Sequence, residues 1–352
     1  MTHDVIIIGA GQAGLAAAYH LQRAGLRFII LEGGSRPVGS WPLHYRSLRL
    51  FSPAKHAALP GLPFPADPEH YPTRDEVVAY LEAYARHFAF PVVTHADVAH
   101  VLPTGGAFTV TTRDGRAFTA RNVITATGTY RKPYLPDLPG RTEFHGRTLH
   151  SLSYQEPAPF RDQRVIVVGA GNSAVQIAVE LSDVANVTLA SRAPVRLIPQ
   201  RPLGRDVHDW ITWLRVDQFP LGRFGRLPSP RSVFDTGVYR RAFRQGRVHA
   251  RGMFERFTRH GVVWPGGSEE GADAVIFATG YRANLDFLHG TGALDAHGNP
   301  LQRLGVSLRV PGLYFVGLSG QRAVASATLR GAGPDADTVV RHLAARHARS
   351  AT

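Results

Sequence analysis

One pattern occurs twice in this chain and restricts what it can fold into. The segment Asp4 to Gly14, DVIIIGAGQAG, is a short apolar run and a glycine-rich turn, followed by an amphipathic stretch from Leu15 to Arg23. The segment Arg164 to Ala174, RVIVVGAGNSA, repeats it and leads into Val175 to Asp183. A second apolar run closes each copy, Phe28 to Leu31 and Val187 to Ala190. A short apolar run that meets a glycine turn predicts a buried parallel strand, and the stretch after it a helix. Two such strand–helix–strand units predict an α/β fold with two Rossmann-like dinucleotide-binding domains.

The two copies differ where a ligand would be chosen. Gly9, Gly11 and Gly14 provide a tight turn, room for a pyrophosphate and close helix packing, with Gln12 opening the helix. Gly169 and Gly171 repeat this, with Asn172, Ser173 and Ala174 following. Glu32 ends the second strand of the first copy, where a carboxylate accepts hydrogen bonds from ribose hydroxyls. At the same offset the second copy carries Arg192 beside Ser191. An arginine there would bind a 2′-phosphate, which a carboxylate would repel. The first site therefore suits FAD and the second NADPH. If Arg192 is only a solvated surface residue, NADH serves as well.

A second pair of segments brackets the later unit. Val123 to Gly128 and Val275 to Gly280 are both apolar strands ending in Ala-Thr-Gly, so Ala126, Thr127 and Gly128 join the ligand-facing candidates. The chain is predicted to leave the first domain after Gly128 and return near Gly280. The NAD(P)H domain is then inserted into the FAD domain. The expected division is 1–154 for the first part of the FAD domain, 155–275 for the NAD(P)H-binding domain and 276–352 for the second part of the FAD domain. Residues 199–247 are rich in Arg, Pro and Gly without a clear period, and read as an irregular lid or surface insertion. Arg74 to Phe88 is predicted helical with Thr73 as N-cap. Phe108 to Thr112 and Ala117 to Thr119 read as a hairpin, and Asp335 to His347 as a closing amphipathic helix.

Composition narrows the chemistry. The 352 residues contain no cysteine, which removes disulfides, thiol nucleophiles, cysteine metal sites and the redox dithiol of flavin disulfide reductases. No metal site is expected. The net charge is +13, yet lysine occurs only at Lys55 and Lys132, and the arginines are scattered rather than clustered. Nucleic-acid binding is not expected. No apolar run approaches the roughly 18 residues that span a bilayer, and no basic stretch precedes Val5 to Ile8 as in a signal peptide. A soluble cytoplasmic protein is expected, with no membrane partner; a homodimer is left open.

Phe144, Gly146, His150, Ser151 and Tyr154 form an F-x-G-x-x-x-H-S-x-x-Y segment just before the second unit. It resembles the fingerprint of the class B flavin-containing monooxygenases, and its ending is closer to the N- and S-oxygenating branch than to the Baeyer–Villiger branch. Val38 to Trp41 resembles that family's Gly-Gly-x-Trp segment. Both dinucleotide turns and both Ala-Thr-Gly segments recur in it, so the resemblance runs almost end to end and is closest to small bacterial flavin monooxygenases.

The resemblance implies that Gly39, Trp41, Thr127 and Gly128 join the first copy around FAD. It implies that Val98 pairs with adenine through its backbone and that Gly317 begins the return to the flavin. It also implies that the helix after Thr328 points its N-terminus at the flavin's pyrimidine end. His150 is implied to support cofactor geometry in the interdomain connection; a direct catalytic role is the alternative. Many relatives place an asparagine against the flavin where this chain aligns Phe51. Asn172 and Phe51 are the candidates for lining the reaction site. The implied reaction uses NADPH and O2 to form a 4a-(hydro)peroxyflavin, which oxygenates a small organic sulfide, amine or ketone. Two rivals share the dinucleotide sites: an NADPH-dependent reductase or oxidase that makes hydrogen peroxide or reduces quinones, and a non-enzymatic flavoprotein that senses redox state or binds a partner.

Overall fold

The computed structural model describes residues 3–214, 219–224 and 232–351. Its first sheet is built around β1 (His3–Ile8), whose residues from Val5 onward are buried. β1 lies between β2 (Phe28–Leu31) and β6 (Ala117–Thr125), parallel to both, with Ile8 opposite Leu31 on one side and Thr125 on the other. β3 (Val92–Val93) adds in parallel outside β2. β4 (Val98–Thr104) and β5 (Ala107–Thr112) run antiparallel as a meander into β6. The expected hairpin around Asp114 and Gly115 is the β5–β6 connection. β12 (Leu313–Phe315) returns from the far end of the chain to lie parallel to β6.

The alternation along β1 sends its side chains into two cores. Val5 and Ile7 pack with α1 (Gln12–Arg23), α2 (Arg74–His87) and α6 (Leu329–Ala351). Ile6 and Ile8 face Val98, Val101, Phe108, Val110 and Phe287. Thr73 caps α2 as expected: its side chain accepts from Glu76 N while Glu76 reaches back to the Thr73 backbone. The closing helix α6 begins earlier than the expected 335, at Leu329, and packs on α1.

The second sheet has five parallel strands in the order β10–β9–β8–β11–β7. They are β10 (Val248–Gly252), β9 (Asn186–Ser191), β8 (Arg164–Val168), β11 (Ala274–Phe277) and β7 (Arg147–His150). Val165 and Val167 face α3 (Asn172–Leu181), whereas Ile166 and Val168 meet Phe254, Phe257, Trp264 and Phe277. By strand pairing this sheet reaches a little outside the expected 155–275 at both ends, because β7 pairs with β11.

Residues 199–247 are not uniformly irregular. Strand Arg196–Pro199 pairs in parallel with Ser232–Asp235. Between them lies α4 (Val207–Leu214), and after them α5 (Val238–Arg244) leads into β10. The sequence hides this because the paired strands are four residues long and far apart in the chain. Part of the expected insertion, 215–218 and 225–231, lies outside the described residues.

Candidate dinucleotide sites and the domain junction

The turn after β1 is shaped by its glycines. Gly9 has φ +101°, and a Cβ there would come within 2.8 Å of Ala126 O. A Cβ on Gly14 would come within 1.9 Å of Gly9 O, so helix and turn touch through backbone. The next helix, α1, starts at Gln12 with Gly11 as N-cap and no side-chain cap. α3 likewise starts after Gly171 with no side-chain cap. Uncapped first-turn N–H groups at the positive end of a helix dipole form an anion site. Thr73 and Thr328 cap the other two described helices of ten or more residues, so these two open N-termini are the exceptions among those four.

A cleft opens over the first turn. Its walls include Gly9, Gly11, Gln12, Glu32, Gly39, Val98, Ala126, Thr127, Gly128 and Gly317. Ten of the residues proposed from sequence are therefore brought together from five stretches of chain. The residues fit a flavin dinucleotide. A Cβ on Gly11 would meet nothing nearer than 3.6 Å, and one on Gly128 nothing within 4 Å, so both turns leave room for a ligand to reach backbone. Glu32 is 2% exposed, and its carboxylate is fixed by Ala10 N at 2.7 Å and Gly34 N at 2.8 Å. Each oxygen keeps a further lone pair for a hydroxyl.

Three of the proposed cofactor residues sit behind the walls. Gly14 lies beneath the turn. Trp41 Nε1 donates to Gln12 Oε1 at 2.8 Å, and Gln12 Nε2 reaches Ala327 O at 3.4 Å. Thr328 spends its hydroxyl on the helix itself: Gly331 N donates to Oγ1 at 3.2 Å. Sequence reasoning missed Tyr130, Arg131, Asn284 and Phe287, which also line the cleft. The hydrogen bond from Thr127 Oγ1 to Asn284 O at 3.0 Å joins the two sequence-distant walls. Neither Asn284 nor Phe287 belongs to a motif, so no signal marked them.

At the second turn Gly169 has φ +148°, and a Cβ would lie 2.5 Å from Ala278 O. Ala174, in place of a third glycine, is fully buried. Gly171 has open space around it, and Asn172 and Ser173 form the half-buried first turn of α3. Ser191 Oγ donates to Ala193 O at 2.8 Å, which holds the turn that carries Arg192. Arg192 is exposed and has no side-chain partner among the described residues.

Neither His150 nor Phe51 is among the walls of the first cleft. His150 Nδ1 accepts from Leu152 N at 3.1 Å, so Nε2 carries the proton and donates to Gly280 O at 3.0 Å. Burial pushes the imidazole below its ordinary pKa, only partly offset by the bond to Gly280. With both nitrogens engaged by backbone, the ring joins the two interdomain crossings and has none free for proton transfer. Phe51 does not line the cleft. Its ring stacks on His208 at 5.8 Å and leans on Phe234 at 6.1 Å, residues of the 199–247 segment. Among the described residues no group of three or more His, Cys, Asp or Glu side chains could hold a metal ion. No described helix is long and apolar enough to cross a membrane.

Comparison with known proteins agrees with this geometry. Residues 6–212 match the pyridine nucleotide-disulphide oxidoreductase family. An uncharacterized CzcO-like oxidoreductase of Geobacillus kaustophilus is 32% identical over 96% of this chain and 97% of its own. An indole-3-pyruvate monooxygenase of Oryza sativa subsp. japonica is 31% identical over 89% of this chain and 86% of its own. The solved structure of a flavin-containing monooxygenase from Stenotrophomonas maltophilia superposes with TM-score 0.87 at 35% identity, covering 98% of this chain and 99% of that one.

Proposed function

The chain belongs to the flavin-dependent monooxygenases within the pyridine nucleotide-disulphide oxidoreductase family, and on that premise we propose that it inserts one atom of O2 into a small organic sulfide, amine or ketone at the expense of NADPH. The observation that carries this reading is the pair of uncapped, glycine-framed helix N-termini, one after β1 and one after β8. Two dinucleotides in one chain without any cysteine leave no protein dithiol to relay electrons from a flavin. That separates this chain from the disulfide-reducing chemistry in the family's name.

FAD, when bound, supplies the redox and oxygen-activating chemistry. The chain's own residues bind and orient. Gly9, Gly11 and the first turn of α1 would hold the pyrophosphate, Glu32 the ribose and the Val98 backbone the adenine. The Trp41–Gln12–Ala327 chain of hydrogen bonds would fix the flavin-side segment against the start of α6. Gly169, Gly171, Ser173, Ala174 and the start of α3 would hold the second pyrophosphate, with Ser191 and Arg192 at its 2′-phosphate. Asn172, from the second domain, and Phe51, packed on His208 and Phe234 of the 199–247 segment, would border the reaction space. His150 would set the angle between the domains. The domain division at about 155 and 275 and a cytoplasmic location complete the reading.

The test is stoichiometric. Oxidation of a thioether should consume one NADPH and one O2 for each sulfoxide and water formed, with catalase present. NADPH consumption that yields hydrogen peroxide, with no sulfoxide, amine oxide or ester from any substrate tried, would replace this reading with an oxidase.

A further inference from the structure

A second cleft, separate from the dinucleotide sites, lies between the 53–71 segment and α4. Its volume is about 740 Å³, within the range of small-molecule sites. We propose that it takes the organic substrate by an anionic group, and that this substrate is an aromatic carboxylate. The proposal rests on the monooxygenase reading only in naming the occupant a substrate.

Next in sequence to Arg205 of the cleft lies a buried hydrogen-bonded network. Asp206, 1% exposed, accepts from Gln200 Nε2 at 2.8 Å, from His208 N at 2.8 Å, from the His208 ring at 2.8 Å and from the Tyr71 hydroxyl. Burial opposes its ionisation, but these hydrogen bonds outweigh it and hold the carboxyl below its ordinary range. Gln200 also donates to Phe51 O at 3.0 Å, so this network is tied to the segment that carries Phe51. On the opposite side the His56 ring is held by Asp209 Oδ1 at 2.7 Å.

The charge on the walls is unbalanced. Lys55 bonds both Glu69 and Asp209, and Arg201 donates to Glu69 at 2.6 Å. Both carboxylates are thereby neutralised. Arg205, exposed at the cleft, has no side-chain partner among the described residues and leaves the cleft net cationic. A guanidinium without a protein carboxylate suits a carboxylate from outside, bidentate and planar. Trp213 lines the same cleft and is 76% exposed. An indole left this open offers a flat apolar face to a ring. Cation and ring together select an aromatic acid over a neutral thioether or an aliphatic amine. A phosphoryl-adenosine group shares both features, so the test must separate the two.

The experiment is calorimetric titration of the FAD-loaded protein, without NADPH, with 2-naphthoate and its neutral isostere 2-naphthamide. The acid should bind saturably and at least tenfold tighter than the amide. R205Q and W213L, both exposed changes that keep the flavin spectrum, should each weaken the acid at least tenfold. Adenosine 2′-phosphate should not displace it. Equal binding of acid and amide, indifference to both variants, or displacement by adenosine 2′-phosphate would overturn the proposal. Thioether turnover measured separately distinguishes the two claims. Naphthoate binding in a protein that oxygenates nothing contradicts the monooxygenase reading, while thioether oxidation without naphthoate binding contradicts this one.

Discussion

Trp41 Nε1 donates to Gln12 Oε1 at 2.8 Å, joining the segment after Gly39 to the first residue of α1. The bond crosses from one wall of the flavin cleft to the helix end that would face the pyrophosphate. Trp41→Phe keeps most of the packing but deletes the donor. An unmade hydrogen bond of this kind costs about 1 kcal/mol, hence roughly fivefold in affinity. FAD release, followed by flavin fluorescence on dilution, should shift by that factor, and Gln12→Ala should do at least as much.

The third small residue of each turn should respond differently to substitution. Gly14→Ala puts a methyl 1.9 Å from Gly9 O, a backbone atom that cannot step aside. We expect about 1–3 kcal/mol of destabilisation and purification largely without flavin. Ala174→Gly in the second copy should cost about 1 kcal/mol through helix propensity alone and leave FAD content unchanged. Thermal melts and flavin-to-protein ratios read both.

Arg192 is exposed at the end of β9 with no protein partner among the described residues. Arg192→Ala should raise the KM for NADPH about tenfold or more, the scale of one charge-assisted contact, and leave the KM for NADH within twofold. Equal effects on both coenzymes would remove the 2′-phosphate assignment.

His44 packs edge-on to Trp41 and Tyr130. Burial, with the nearby Arg74 adding to it, lowers its pKa from 6.5 to about 4. Below pH 6.5 the unfolded chain therefore binds a proton that the folded chain does not. The neutral ring's contribution is complete above pH 6.5 and is lost as pH falls toward 4. His44→Gln should flatten the stability–pH slope in that window by at most about 1.4 kcal/mol per pH unit. Urea midpoints at pH 7 and pH 5 provide the comparison.

Much of this architecture is legible in the chain because local signals coincide there. The runs at Val5 and Val165, the glycines after them and the residue at the Glu32 or Arg192 position each report a short-range constraint. The walls supplied by Asn284 and Phe287 are not legible, since only the return of the chain brings them over the first turn. Phe51 could be aligned but not placed, because its neighbours His208 and Phe234 come from a segment with no periodic signature. His150 carried a motif but not its tautomer, which follows from bonds to Leu152 and Gly280.

The account's central claim is that the protein transfers an oxygen atom from O2. Turnover of a thioether with NADPH under 18O2, in ordinary water and with catalase present, tests it most directly. The account predicts a sulfoxide carrying one 18O atom. Sulfoxide carrying oxygen only from water, or NADPH oxidation with no oxygenated product at all, would contradict it.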